Sequence, residues 1–481
     1  MRRASVLSVC LVFLIAAELC FQTEAAETAK QKPNVLFIAV DDLNDWIGCL
    51  GGHPDGQSPN IDRLASRGTL FTRSYCSAPA CNPSRVAMMT GMLPSNTGVY
   101  VNPQPWRPVL KDVQTLPQHL RKHGYYAAGS GKIYHGRYDD DASWNDYLKK
   151  GGDPKPTQKV LKDPHSTAGG IVWGALGVED SEMNDYRMAD YAIDFLSKEH
   201  DKPFFLACGI YRPHMPWQVP RKYYDLFPPE KVTLPKVLAG DLDDVPPAGI
   251  KMANPKGDHA NIQKTDNWRY AVQAYLASIK FADGQVGRVL DALDKSPHAK
   301  NTIIVLWGDH GWHLGEKEHW RKFSLWEEAC RAPLMIIAPG VTTPGVQCGR
   351  TVDFVDVFPT LCDLCGVPHR DNLDGQSLVP LLKDGEAEWT HPALTAHGKG
   401  NYSVRTERWR FTRYENGDEE LYDHEADPME WKNLAREELL AAVRRELAAH
   451  FPRSSAPNAP FEKGIRSGKK PAKSSQKTVR R

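Results

Sequence analysis

Four short runs in this chain are apolar almost from end to end: Asn34–Val40, Pro203–Ile210, Asn301–Trp307 and Pro333–Ala338. A strand with one wet face alternates apolar and polar residues, whereas a strand covered on both faces does not. These runs therefore predict a parallel or mostly parallel sheet sandwiched between helices. Helical patterns fall between them. Ser58 to Gly68 carries a Ser cap, Pro59 at the first position and a Gly stop, and Leu116 to Gly124 reads as another helix. Tyr186, Ala189, Ile193 and Leu196 mark one apolar helix face, and Trp268 to Leu293 reads as one long helix or two abutting ones. The expected class is α/β, with a large central sheet flanked by helices. The 481 residues suffice for that domain and a smaller one.

Polar residues with chemistry to offer recur just after the strands. Asp41-Asp42 close the first run, and Lys132 and His135 follow a short strand at Tyr125–Ser130. His214 follows the 203–210 run, and Asp309-His310 follow 301–307. Open α/β sheets bind ligands at that edge. Adjacent carboxylates ending a buried strand are costly without a cation, so Asp41-Asp42 read as part of a metal site. Cys81-Asn-Pro-Ser-Arg85, running on to Thr90-Gly91, reads as a loop entering a short helix. Cys81 would sit at the anion-friendly helix start, with Arg85 one turn on.

The remaining segments are less regular. Residues 136–180 read as a long surface excursion, and 228–262 as a long loop. From about His391, Tyr402–Arg405, Trp409–Tyr414 and Glu420–Tyr422 suggest an antiparallel sheet turning at Asn416-Gly417, followed by a helix near 435–450. Residues 1–25 have the form of an export signal: Arg2-Arg3, an apolar run from Val6 to Ala17, and a small-residue site near Ala25. The expected division is signal 1–25, catalytic domain 31–390, C-terminal α+β subdomain 391–452, and a disordered basic tail 453–481.

The net charge of +1 conceals that tail, where nine Lys or Arg face Glu462 alone. The tail is read as solvated chain or as an adhesive for an anionic surface. The body is left acidic, so a polyanionic substrate would need a local cationic cluster, and nucleic acid is not an expected partner. Two of the ten cysteines, Cys10 and Cys20, lie in the signal. Export permits disulfides, but pairing is not legible, and Cys362 and Cys365 read as buried free thiols.

These motifs together resemble the type I sulfatases of the alkaline phosphatase superfamily, most nearly the iduronate 2-sulfatase branch. The resemblance rests on Val40-Asp-Asp-Leu43, Ser58-Pro-Asn-Ile-Asp62, Cys81-Asn-Pro-Ser-Arg85, Gly131-Lys-Ile-Tyr-His135, Arg212-Pro-His-Met-Pro216 and Asp309-His-Gly-Trp312. It implies an alkaline phosphatase-like fold and a Cys81 oxidised to formylglycine by a formylglycine-generating enzyme. One divalent ion, Ca²⁺ first, would be held by Asp41, Asp42, Asp309, His310 and the modified Cys81. The His310 nitrogen leaves room for Mg²⁺ or Mn²⁺. Lys132 and Lys322 would bind sulfate, and Arg85 would brace the formylglycine. His214 would protonate the leaving oxygen, and His135 would handle the formylglycine hydroxyl proton.

The implied substrate is a sulfated saccharide, from a glycosaminoglycan or an algal polysaccharide. The implied compartment is periplasmic, extracellular or lysosome-like, with no membrane span once the signal is cleaved. Trp312, His313, His319 and Arg321 are placed to line a pocket or its rim; Trp106 and Trp217 would stack on a sugar or sit in the core. A phosphoester or phosphonate hydrolase on the same scaffold, and a non-catalytic sulfated-glycan binder, are the competing readings.

Overall fold

The apolar runs are strands, and their side chains feed two separate cores. Alternate residues of the first strand point to opposite faces. Leu36, Ile38 and Val40 pack in a cluster with Val272, Leu276 and Ile279. Val35, Phe37 and Ala39 join Val86, Met89, Phe358 and Leu361 on the other side. Both sets are fully or almost fully buried, each large side chain contributing roughly 1.5–3 kcal/mol, which accounts for the missing polar alternation.

The computed structural model describes residues 32–462; the expected signal, Cys10, Cys20 and the tail beyond 462 lie outside the described residues. Eight strands form the main sheet: β1 (Asn34–Val40), β2 (Thr69–Tyr75), β3 (Tyr126–Gly131), β4 (Asp146–Lys149), β5 (Phe204–Ile210), β6 (Thr302–Gly308), β7 (Leu334–Ile337) and β8 (Val346–Asp353). Their spatial order is β8-β2-β7-β6-β1-β5-β3-β4. Every pair is parallel except those made by β7, which runs antiparallel to β2 and β6.

The covering helices include α1 (Pro59–Ala65), α2 (Cys81–Thr90), α3 (Leu116–Lys122), α4 (Asn184–Leu196), α5 (Trp268–Lys295) and α6 (Val357–Leu364). The 28 residues of α5 form one uninterrupted helix. Ser58 does not cap α1 as expected: its hydroxyl accepts from Gly48 N and donates to Asp62. Asp283 of α5 takes the cap role instead, accepting from the backbone N–H groups of Asn60 and Ile61 at 2.9 Å each. The helix start is thus satisfied by a residue 222 positions away, beyond the reach of local sequence.

The smaller unit is a four-stranded antiparallel sheet, β9 (Ala393–Ala396), β10 (Tyr402–Arg405), β11 (Trp409–Arg413) and β12 (Glu419–Asp423), with helix α7 (Ala441–Ala448). β9 was not foreseen. It joins the sheet to the large domain, with Ala396 N donating to Ser77 O and Leu394 N to Asp353.

Three expected loops contain order. The 136–180 excursion supplies β4, the edge of the main sheet, and a small hairpin. The four residues of β4, Asp-Tyr-Leu-Lys, are largely exposed and too few to form an apolar run, so no pattern announces them. The 228–262 loop holds helices at Pro247–Ala253 and Asp258–Thr265. The start of the tail is docked rather than free. Ala456 N donates to Ser95 O, Ala459 N to Gly98 O and Glu462 N to Pro103 O, with Ala459 buried. Backbone hydrogen bonding holds this stretch, and such bonds leave no trace in composition.

Candidate active site

The carboxyl ends of β1, β3, β5 and β6 converge on the first turn of α2. Cys81 is the first residue of that helix and is fully buried, and all ten helix residues are buried with it. Pro83 falls third, within the turn whose N–H groups have no helical partner. Asn102 accepts the Asn82 N–H at 2.9 Å, and Gly91, at φ 63°, closes the helix in the left-handed region.

Around the Cys81 sulfur stand Lys322 Nζ at 2.9 Å, His310 Nε2 at 3.4 Å and Asp42 Oδ1 at 3.8 Å. Burial alone would push the thiol pKa up, but Lys132, Lys322 and His310 outweigh it and hold the group well below the usual thiol range. His135 also faces the sulfur, and burial lowers its own pKa.

Arg85, fully buried, is the brace of the site. Its Nε donates to Asp309 Oδ2 and its Nη2 to Asp41 Oδ1, both at 2.9 Å, while Nη1 bonds the carbonyls of Lys132 and Ile133. It therefore orients carboxylates, and acts on residue 81 through them. Lys132 pairs with Asp41, and Lys322 with Asp42 at 2.6 Å. Burial pushes the Asp41 carboxyl up, but Lys132 and His214 drive it well below the ordinary range. Asp309 is raised to about 6 by burial, against the pull of Arg85 and His310. Lys132 owes its position to Gly131, whose φ is 81° and where an added Cβ would run into Gly209 O of β5.

The donors suit a cation. One ligand atom each from Asp42, Cys81, Asp309 and His310 lie within 4.8 Å of one another, all four residues buried. His310 Nδ1 donates to Gly311 O at 3.0 Å, which turns Nε2 toward Asp42 Oδ1 at 3.4 Å and Asp309 Oδ2 at 3.5 Å, where a cation could take the place of its proton. Asp42 sits at φ 60° and its Oδ2 is buried without a hydrogen-bond partner. A ring nitrogen turned into buried carboxylates and a carboxylate oxygen without a partner are what a hard divalent ion would satisfy. Asp41, Asp42 and His214 form an adjoining group. His214 Nδ1 donates to Met215 O at 2.6 Å, so Nε2 is turned toward the site, 3.9 Å from Asp42 Oδ2.

All ten residues singled out as the site are thus brought to one sheet edge. Trp312 reaches it too, buried with its ring centroid 5.3 Å from Lys322 Nζ. Three further candidates do not: His313 is buried, His319 lies between the carbonyls of Ala253 and Lys322, and Arg321 pairs with Asp258. They build the loop that carries Lys322 rather than a pocket wall. Trp106 and Trp217 are core residues. Sequence reasoning missed Tyr275, whose hydroxyl donates to Asp42 O at 2.7 Å, and Asp185, which accepts from the N–H groups of Tyr211 and Arg212. One lies inside a helix pattern and the other at a helix start, so neither gave a signal. The eight described cysteines are all free, Cys362 and Cys365 among them, as expected.

A sulfatase family model matches residues 33–367. The chain belongs to the sulfatase family. A second model, N-sulphoglucosamine sulphohydrolase C-terminal, matches residues 315–456 of this sulfatase. It is 38% identical over 460 residues to a sulfatase of Formosa agariphila, covering 91% of this chain and 90% of that one. It is 32% identical to iduronate 2-sulfatase of Mus musculus, covering 79% and 78% of the two chains. The phosphonate monoester hydrolase of Agrobacterium radiobacter superposes with a TM-score of 0.73 at 26% identity, over 87% of this chain and 94% of that one. The sulfatase is a sulfuric ester hydrolase of alkaline phosphatase-like fold, and among the described residues no helix is long and apolar enough to cross a membrane.

Proposed function

We propose that this sulfatase removes sulfate from a saccharide through a formylglycine made from Cys81, with one divalent cation, calcium in the first place. The setting of Cys81 carries the proposal: a buried sulfur within 2.9 Å of a lysine ammonium and 3.4 Å of an imidazole, beside a carboxylate cluster in which Asp42 Oδ2 has no hydrogen-bond partner. In the mature protein the sulfur's place is taken by an oxygen of the hydrated aldehyde.

One of the two hydroxyls on that carbon passes its proton to the Asp42 carboxylate beside it and attacks sulfur, and the bond from sulfur to the sugar oxygen breaks as His214 Nε2 gives up a proton to the leaving alcohol. The second hydroxyl then passes its proton to His135, the carbon–oxygen bond to sulfate breaks, and the aldehyde re-forms. Lys132 and Lys322 balance the sulfate charge, and Arg85 keeps Asp41 and Asp309 in place. A cation held by Asp41, Asp42, Asp309, His310 and residue 81 would add positive charge at the nucleophile and the sulfate.

The likeness to iduronate 2-sulfatase supports a uronate-containing or similarly anionic saccharide. The N-terminal signal pattern supports export to a periplasmic, extracellular or lysosome-like compartment. Peptide mass spectrometry should find residue 81 as formylglycine, and Cys81→Ala should abolish sulfate release with the fold intact. Retained turnover would sink the mechanism. A panel of defined sulfated oligosaccharides would identify the substrate. The likeness to a phosphonate monoester hydrolase favours a second reading, which predicts that matched phosphonate esters are hydrolysed faster than sulfate esters.

A further inference from the structure

Three cations surround the ring of Tyr211, the residue that follows β5. Lys132 Nζ lies 5.3 Å from the ring centroid, Arg212 Cζ 5.2 Å and Lys150 Nζ 3.3 Å. Two of them are neutralised locally, Lys132 by Asp41 and Arg212 by Asp153 at 2.7 Å. Among the described residues, no carboxylate lies within the 4.0 Å ion-pair distance of Lys150.

The sheet explains why Lys150 is there. β3 and β4 are parallel with Gly131 opposite Lys149, so Lys132 and Lys150 step off adjacent strands at the same level. Adjacent strands are about 4.8 Å apart. Lys150 is exposed at the edge of the sheet, yet its ammonium folds inward onto Tyr211. The same ring carries the His214 imidazole, with centroids 4.6 Å apart. Tyr211 itself is anchored, its hydroxyl donating to Met215 O and its N–H to Asp185. Burial, Arg212 and Lys132 all hold the Lys150 pKa below the ordinary lysine value, against the pull of Asp153 and Asp185.

We infer that Lys150 binds a second anionic group of the substrate, a carboxylate or a further sulfate carried by the leaving alcohol, while Lys132 and Lys322 hold the sulfate being removed. This rests on the sulfate-ester reading of the site and adds a selectivity element to it. His214 faces the leaving oxygen, and Lys150 lies against the same aromatic ring as His214. Both lie within 5 Å of that ring's centroid, Lys150 Nζ at 3.3 Å and the His214 ring at 4.6 Å. An unpaired ammonium beside an otherwise charge-balanced site selects for the extra anion rather than for sulfate itself.

The test uses two non-hydrolysable probes, benzenesulfonate and 3-sulfobenzoate, titrated calorimetrically into the full-length protein. Wild type should bind the dianion more tightly. Lys150→Gln should weaken 3-sulfobenzoate about ten-fold or more, the scale of one hydrogen bond to a charged group, and leave benzenesulfonate within two-fold. Lys150→Arg should restore most of the loss. Equal losses on both probes, or none on either, would overturn the assignment. Because no turnover is needed, the result is independent of the chemistry at Cys81, which phenyl sulfate hydrolysis by the same preparations tests separately.

Discussion

Replacing Arg85 with lysine keeps the charge and removes the fork. The guanidinium joins Asp41 and Asp309 by two bonds of 2.9 Å and also holds the carbonyls of Lys132 and Ile133, with no exposure to water. An ammonium presents its donors from one point and can satisfy one carboxylate well, leaving the other without its partner. Breaking one buried charge pair costs roughly 3–5 kcal/mol, so a change that keeps the charge should cost about 2–3 kcal/mol in urea unfolding of the metal-free protein. The second readout is sharper. Asp309 sits at about 6, raised by burial and restrained by Arg85. A raised carboxyl keeps its proton to higher pH, so a calcium ion bound as proposed would have to displace that proton below about pH 6 and would meet a ready carboxylate above it. Without the fork the restraint weakens, and the midpoint of calcium affinity against pH should move upward in Arg85→Lys. Calorimetric titrations from pH 5 to 8 would measure it. An unchanged midpoint, with stability within about 0.5 kcal/mol of wild type, would refute the bracing role.

Three other perturbations follow from the same geometry. His214→Ala should cost about 10²–10⁴ in kcat on sugar or alkyl sulfates and far less on nitrophenyl sulfate, whose leaving group needs little protonation; equal losses would remove His214 from the acid role. Asp356 is raised to about 8 by burial and by Asp353, itself at about 6. The folded state thus holds these protons more tightly than the unfolded chain, and stability should fall as pH rises from about 4 toward 8. The Tm advantage of wild type over Asp356→Asn should shrink across that range, and a growing advantage would reverse the sign. Truncation after Pro452 removes the strand-like docking of 456–462 on residues 95–103, including the Gln104 bond to Ala459 O. It should lower Tm by several degrees, whereas truncation after Glu462 should not; equal effects would show that the docked stretch contributes nothing.

The site was largely legible because its chemistry is tied to strand ends. An unbroken apolar run followed by Asp41-Asp42 or Asp309-His310 announces both a buried strand and what it delivers. What stayed hidden lacks such a pairing. β4 is short and largely exposed, without an apolar run, so Lys150 gave no signal until the Gly131–Lys149 register placed it. The cap of α1 comes from Asp283, and the seat of β9 from Ser77 and Asp353; each is a long-range bond between ordinary residues. The histidines at 313 and 319 share residue type and neighbourhood with catalytic groups, and only their closed hydrogen bonds show that they carry structure.

The depth of Cys81 sets an order of events in the life of the chain. Its sulfur touches His310 and Lys322, residues more than 200 positions later, and it has no exposed surface once they dock. If residue 81 matures as proposed, the oxidising enzyme must grip it before β6 takes its place beside β1. On that proposal the strand pairing that completes the fold is also a deadline: chains that fold first would be sealed as thiols, and the active fraction of a preparation would record which process was faster.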